Sequence, residues 1–271
     1  MLECVINISE GRRLDVVAAV GAAAGDHLLD VHTDSHHHRS VLTLAGPEVE
    51  PAAFAVVAEA IARIDLRDHD GVHPRLGAAD VVPFVPLDRS TIDDAVGARD
   101  RLSERITTEL DVPCTRYGPE RSLPDVRRHA TTEVEGHPSA GICCVGARPV
   151  LVAYNLWLRD GARLDDARRI ANEVRRPTLR TLGLQVGDAV QVSCNLIDPW
   201  TTGPDAAFDA VAARAVVARA ELVGLVPARV LHAIAPSRWS QLDLSPSTTI
   251  EARLSRAGLD GGRFSEGRRT T

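Results

Sequence analysis

The run from Asp70 to Asp80, DGVHPRLGAAD, sets one histidine between a glycine-containing approach and a proline. An apolar stretch from Val81 to Val85 follows at once. Proline after His73 disfavours helix at the histidine, so its imidazole projects from an extended turn at a strand end. Catalytic groups concentrate in loops of that kind. An imidazole, with an ordinary pKa of about 6.5, can take and return a proton near neutral pH. The same histidine could instead tie the turn together, and spacing alone leaves both readings open. Asp70 or Asp80 could orient the ring.

A second concentration of titratable groups lies earlier. His32, Asp34, His36 and His38 alternate along the chain. On an extended backbone they would share one face, which suits imidazole and carboxylate metal ligands. That arrangement would imply a metal-dependent hydrolase; a polar, solvated turn is the competing reading.

Composition narrows the chemistry further. All 31 basic residues are arginine, and lysine is absent. Schiff-base catalysis and a P-loop lysine are therefore excluded. Planar guanidinium forks for carboxylates are plentiful. A net charge of -6 argues against nucleic acid as a partner, because such binding needs a basic surface. The five cysteines, Cys4, Cys114, Cys143, Cys144 and Cys194, lie mostly in apolar runs without a CxxC spacing. They read as buried thiols in a reducing compartment. The N-terminal MLECVINISEG has no basic region followed by an apolar block, and the apolar run Ala18 to Ala24 is too short for a bilayer. The expectation is a cytoplasmic protein with no membrane partner.

Hydrophobic periodicity supplies the elements that must hold these residues. Strands are expected at Leu2–Ile8, His27–His32, Ser40–Ala45 and Val81–Val85, with helices at Arg13–Ala24 and Pro51–Ile64. A helix over Ile92–Leu110, a strand at Pro113–Tyr117, a short helix within Pro119–Ala130 and a loop over Thr131–Gly141 follow. Beyond Gly146 the order repeats: strand Val150–Trp157, helix Leu164–Arg175, strands Leu179–Gln185 and Ala189–Ile197, helix Pro204–Ala220, strand Glu221–Leu225. The fold class is α/β (α+β): two ferredoxin-like β-α-β-β-α-β subdomains, 1–146 and 147–260, with a ligand cleft between them. Residues 261–271 read as a disordered tail.

Several runs together resemble the formiminotransferase domain family. They are Glu3 to Gly11 (ECVINISEG), Leu28 to Val31 with Asp34 and His37 to Val41, and Gly71 to Val81 (GVHPRLGAADV). Gly141, Val145 to Arg148 (VGAR), Ala153 to Asn155 (AYN), Val192 to Leu196 (VSCNL) and Glu221 to Pro227 (ELVGLVP) continue the pattern in order, over nearly the whole chain. The resemblance implies transfer of a formimino (or formyl) group between N-formimino-L-glutamate and N5 of tetrahydrofolate, a co-substrate, in a homodimer. It places the catalytic histidine at His73 and the folate loop at Gly136, His137, Pro138, Ser139, Ala140 and Gly141. Substrate-binding candidates are Asn7, His37, Arg39, Arg75, Arg148 and Asn155, the arginines because both substrates carry glutamate carboxylates. The matched segments contain no family metal ligands, so no metal is expected. The chain departs from the family's Asp-His-Asn-Arg-Ser run, which is here His36-His-His-Arg-Ser40. A folate-binding protein without turnover would share the same motifs.

Overall fold

The computed structural model describes residues 1–71 and 74–259. His73 and the tail from 261 onward lie outside the described residues. The chain divides into two compact units: Met1–Pro149, joined by the short segment that begins at Ala257, and Val150–Arg256.

The first unit opens with β1 (Leu2–Ile8), α1 (Leu14–Ala22), β2 (Leu28–Asp34), β3 (Arg39–Gly46), α2 (Val49–Arg63) and β4 (Ala79–Pro86). It continues with α3 (Ile92–Leu110), β5 (Cys114–Tyr117), α4 (Leu123–Glu133) and β6 (Cys143–Ala147). The six strands form one sheet in the order β2-β3-β1-β4-β6-β5. The pairs β2/β3, β3/β1 and β1/β4 are antiparallel, whereas β4/β6 and β6/β5 are parallel.

Alternation along β1 puts Cys4, Ile6 and Ile8 into the core and turns Asn7 to the opposite face. Helix α2 buries Ala53, Val56, Val57 and Ala60, the spacing of a single helical stripe. Helix α3 starts at a capping box in which Thr91 and Asp94 satisfy each other's backbone N–H groups. Its buried face carries Ala95, Ala98, Leu102 and Ile106, and also Arg99. That guanidinium is held by a fork to Glu120 at 2.7 and 2.8 Å and by Asp100 at 2.8 Å.

The second unit repeats the order with β7 (Val152–Leu158), α5 (Leu164–Val174), β8 (Leu179–Val186), β9 (Ala189–Leu196), α6 (Pro204–Ala212) and β10 (Val217–Val223). Its sheet order is β10-β7-β9-β8, antiparallel throughout. This matches the positions of β4-β1-β3-β2 in the first sheet. Two short helices, α7 (Ala228–His232) and α8 (Ile250–Arg256), follow. The β-α-β-β-α-β order expected from periodicity is therefore present in both units. Among the described residues, no helix is long and apolar enough to cross a membrane.

The structure corrects the expected elements in three places. Helix α6 stops at Ala212, not Ala220, because Val217–Val223 pairs with β7. Ladder hydrogen bonds and burial outweigh the helix preference of an alanine-rich run. Helix α4 extends to Glu133, into the expected loop. The strand β6, Cys143–Ala147, was absent from the expected order; all five residues are buried, so no alternation marks them. Gly183 on β8 lies against the backbone of α5: a Cβ there would come within 2.3 Å of the Arg168 nitrogen. Gly183→Ala should push α5 off the sheet and lower stability by roughly 1–3 kcal/mol, read as a shifted urea midpoint; an unchanged midpoint would contradict the packing.

Candidate functional site

The segments flanking residues 72 and 73 are pinned on both sides. On the N-terminal side, the Gly71 N–H donates to His69 Nδ1 at 3.1 Å. His69 Nε2 is 3.0 Å from the His38 carbonyl oxygen, so the tautomer carries its proton on Nε2. Burial holds the His69 imidazole below its ordinary pKa. The His38 and His69 rings stack with centroids 4.0 Å apart. A Cβ at position 71 would lie 2.6 Å from the Cβ of His38 and from ring carbon Cε1 of His69. Glycine is thus required where the chain passes these two histidines. Arg75 reaches back from the C-terminal side, donating to the Gly71 carbonyl at 2.8 Å and the His69 carbonyl at 2.5 Å.

Glu10 anchors the histidine stack. Its carboxylate accepts from the N–H groups of Gly11, Arg12 and Arg13 at 2.8–3.0 Å and from Arg13 Nε at 2.6 Å. His38 Nε2 lies 3.0 Å away from it. Burial alone would raise the Glu10 pKa, but the donors, led by the Arg13 and Arg12 backbone, bring it down to about 2. The exposed Asp70 carboxylate pairs with Arg12 at 2.5 Å.

On the C-terminal side the anchor is Asp80. Between the pairs Asn7↔Val81 and Ile8↔Ala79, β4 has one residue more than β1, and that residue is Asp80. Such a bulge re-aims a side chain. The Asp80 carboxylate is 1% exposed, accepts the Leu76 N–H at 2.8 Å and pairs with Arg39 at 3.1 Å. Arg127 of α4 forms a short contact with the same carboxylate and also donates to the Pro74 carbonyl at 2.9 Å. Arg39 Nε donates to Asn7 Oδ1 at 3.1 Å. Asn7, Arg39, Asp80 and Arg127 are therefore one polar cluster on the face opposite the β1 core residues.

The loop Gly136–Gly141 docks onto this segment. His137 and Gly141 exchange backbone hydrogen bonds at 2.8 and 2.9 Å, and His137 Nδ1 accepts the Ala140 N–H at 3.1 Å. The Ala78 N–H donates to the Ala140 carbonyl at 2.9 Å, and the Ile142 N–H to the Leu76 carbonyl at 2.8 Å. Gly141 has φ of 69°, and a Cβ there would lie 2.0 Å from the Leu76 oxygen. Left-handed backbone and close approach both demand glycine. Ser139 and Ala140 thus belong to a turn built against the segment 76–78 that leads into β4.

The remaining candidates separate. His37 is buried, with Nδ1 3.0 Å from Asp34. Arg148 follows β6 and donates to the Pro149 carbonyl at 3.0 Å. Asn155 belongs to the second unit, inside β7 and not at a strand end. There Asn155 and Trp157 both donate to Glu221, at 3.1 and 2.8 Å, and Arg219 lies over the Trp157 ring. Gln191 on β9 is fully buried there, and its amide atoms have no hydrogen-bond partner among the described residues.

The alternating histidines do not share a face. Strand β2 ends at Asp34, whose side chain accepts the His36 and His37 N–H groups at 2.8 Å and turns the chain. His38 has φ of 51°. Among the described residues, no three His, Cys, Asp or Glu side chains group as metal ligands would. Spacing overlooked Glu10, His69 and Arg127. Only Glu10 had a local signal, an acid just before the α1 N-terminus, where it meets free N–H groups.

Two outcomes follow from these anchors. Asp80→Ala leaves Arg39 and Arg127 without their buried counter-charge, and should cost about 3–5 kcal/mol of unfolding free energy in urea titration. The Glu10 pKa is lower folded than its usual 4.5, so its stabilisation is complete above that value and lost as pH falls towards about 2. Glu10→Gln should flatten the acid limb of stability against pH; an unchanged slope would remove Glu10 from the account.

Comparison with known proteins agrees with the resemblance. Residues 1–148 match the model of the formiminotransferase domain, N-terminal subdomain. A glutamate formimidoyltransferase of Streptococcus pyogenes serotype M1 is 33% identical over 87% of this chain and 92% of its own length. One from Thermoplasma acidophilum is 31% identical over 95% of this chain and 98% of its own. The formimidoyltransferase-cyclodeaminase of Sus scrofa is 32% identical over 85% of this chain but only 51% of its own length. A model matched from one end of the first sheet to the other, and relatives aligned over nearly their full length, make this chain a member of the formiminotransferase family.

Proposed function

We propose that the protein transfers a formimino group between N-formimino-L-glutamate and N5 of tetrahydrofolate, with His73 as general base and then general acid. The names and near-complete coverage of the bacterial and archaeal relatives carry this reading. Attack of N5 on the amidine carbon gives a tetrahedral centre bearing the folate nitrogen and two nitrogens of the donor. N5 loses its proton, the glutamate nitrogen gains one, and the bond from carbon to that nitrogen breaks. Glutamate leaves and 5-formiminotetrahydrofolate remains. One imidazole able to accept and then return the proton meets both demands.

The backbone around residue 73 supports such a role. Gly71 is held by His69, Pro74 by Arg127, and Leu76 by Asp80. A proton shuttle gains from attachment points that do not wander, because proton transfer needs hydrogen-bond reach. Loop Gly136–Gly141, the proposed folate loop, is hydrogen-bonded to Leu76 and Ala78. The proposed folate loop is thereby built on the segment that follows the proposed base in the sequence. A homodimer in the cytoplasm completes the proposal.

His73→Ala should lower kcat by a factor of about 10²–10⁴ while calorimetry still detects tetrahydrofolate binding. Turnover equal to that of the parent protein would exclude His73 as the proton carrier.

A further inference from the structure

Away from this site, two thiols meet at the edge of the first sheet. Cys114 begins the edge strand β5, and its register partner on β6 is Cys143. Neighbouring strands lie about 4.8 Å apart, within the Cα separation of roughly 4.4–6.8 Å that a disulfide spans. Both side chains pack on the α3 side of the sheet, Cys143 inside the main core and Cys114 against it. The next pair, Thr115 and Cys144, faces the other way, with a hydrogen bond of 3.4 Å between them. Cys144 is thus on the wrong face to reach Cys114.

The two thiols differ in access. Cys143 is 1% exposed, whereas Cys114 lines an open surface cavity of about 610 Å³. Ser103, Glu104, Thr107 and Thr108 from α3 and Arg116 from β5 complete its wall. The Cys143 thiol, the Thr107 hydroxyl and the Arg116 charge lower the pKa of Cys114 against the effect of burial. The contact with Cys114 and burial raise that of Cys143. A half-buried thiol that opens on a cavity beside donors and a cation is the environment of a reactive cysteine, and such cysteines are often poised next to a resolving one.

We propose that Cys114 is a site of oxidation by small hydroperoxides, resolved by Cys143 into a disulfide across β5 and β6. The Cys114 thiolate attacks the distal peroxide oxygen, the O–O bond breaks, and Cys114 becomes a sulfenic acid; with hydrogen peroxide the leaving hydroxide takes up the thiol proton as water. The Cys143 sulfur then attacks the sulfenic sulfur, the S–O bond breaks, and the released hydroxide leaves as a second water with the Cys143 proton. The two cysteines are oxidised by two electrons and the peroxide is reduced by two. Nothing in this chemistry depends on formimino transfer.

The test uses the full reduced chain, treated with hydrogen peroxide, alkylated, digested and read by mass spectrometry. The expected product is a peptide pair joined through Cys114 and Cys143, with Cys4 and Cys194 remaining alkylated. In Cys143→Ala the linkage should vanish, and dimedone should trap a sulfenic acid on Cys114. In Cys144→Ala the linkage should persist. Absence of a linked pair in the parent protein, or a linkage that survives Cys143→Ala, would overturn the proposal. So would labelling of Cys114 no faster than that of Cys4 and Cys194.

Discussion

A carboxylate with 1% of its surface exposed holds two guanidinium groups and one backbone N–H at the point where β4 begins. Burying an ion on that scale is unfavourable unless its partners are close and its lone pairs are used. Asp80 meets both conditions only because the strand bulges there, turning the side chain towards Arg39 and Arg127. The consequences spread through covalent connection. Leu76 is fixed by Asp80, Pro74 by Arg127, and the Gly136–Gly141 turn by the backbone of Leu76 and Ala78. One buried charge therefore organises the segment 74–76 that leads towards β4 and the turn beside it.

The segment that ends at Gly71 is held by different physics. Glu10 collects the free N–H groups that precede α1 and fixes His38; the His38 ring stacks on His69, and His69 receives Gly71. Two arginines expected to meet substrate carboxylates also make hydrogen bonds within this frame. Arg75 staples backbone carbonyls, and Arg39 lies between Asn7 and Asp80. In a chain without lysine, the planar fork serves as a structural clamp as readily as a ligand clamp. Composition pointed to the fork but not to which acceptor it would find.

Much of the candidate site was legible in its order along the chain and little in its contacts. Within the HPRLGAAD run, Leu76 and Ala78 become neighbours of the GHPSAG turn, which begins 60 residues after Leu76, through β4 and β6 pairing in parallel. His32, Asp34, His36 and His38 look equivalent as a string. In space Asp34 turns the chain, His37 folds back onto it, and His38 lies under Glu10. Alternation is evidence about a face only while the backbone stays extended. The same limit explains β6, whose buried residues give no alternation to read.

By itself the sequence determined the two β-α-β-β-α-β units, because core stripes such as Ala53, Val56, Val57 and Ala60 are local and periodic. It also determined the family, through runs whose residue types are specific, and the absence of lysine chemistry. Tertiary structure alone decided where α6 ends, that Asp80 is a bulge residue, and that Cys114 lies beside Cys143. Each of those depends on the register between strands far apart in the chain. Register is a balance of pairing and burial summed over whole strands, and no short window of residues contains it.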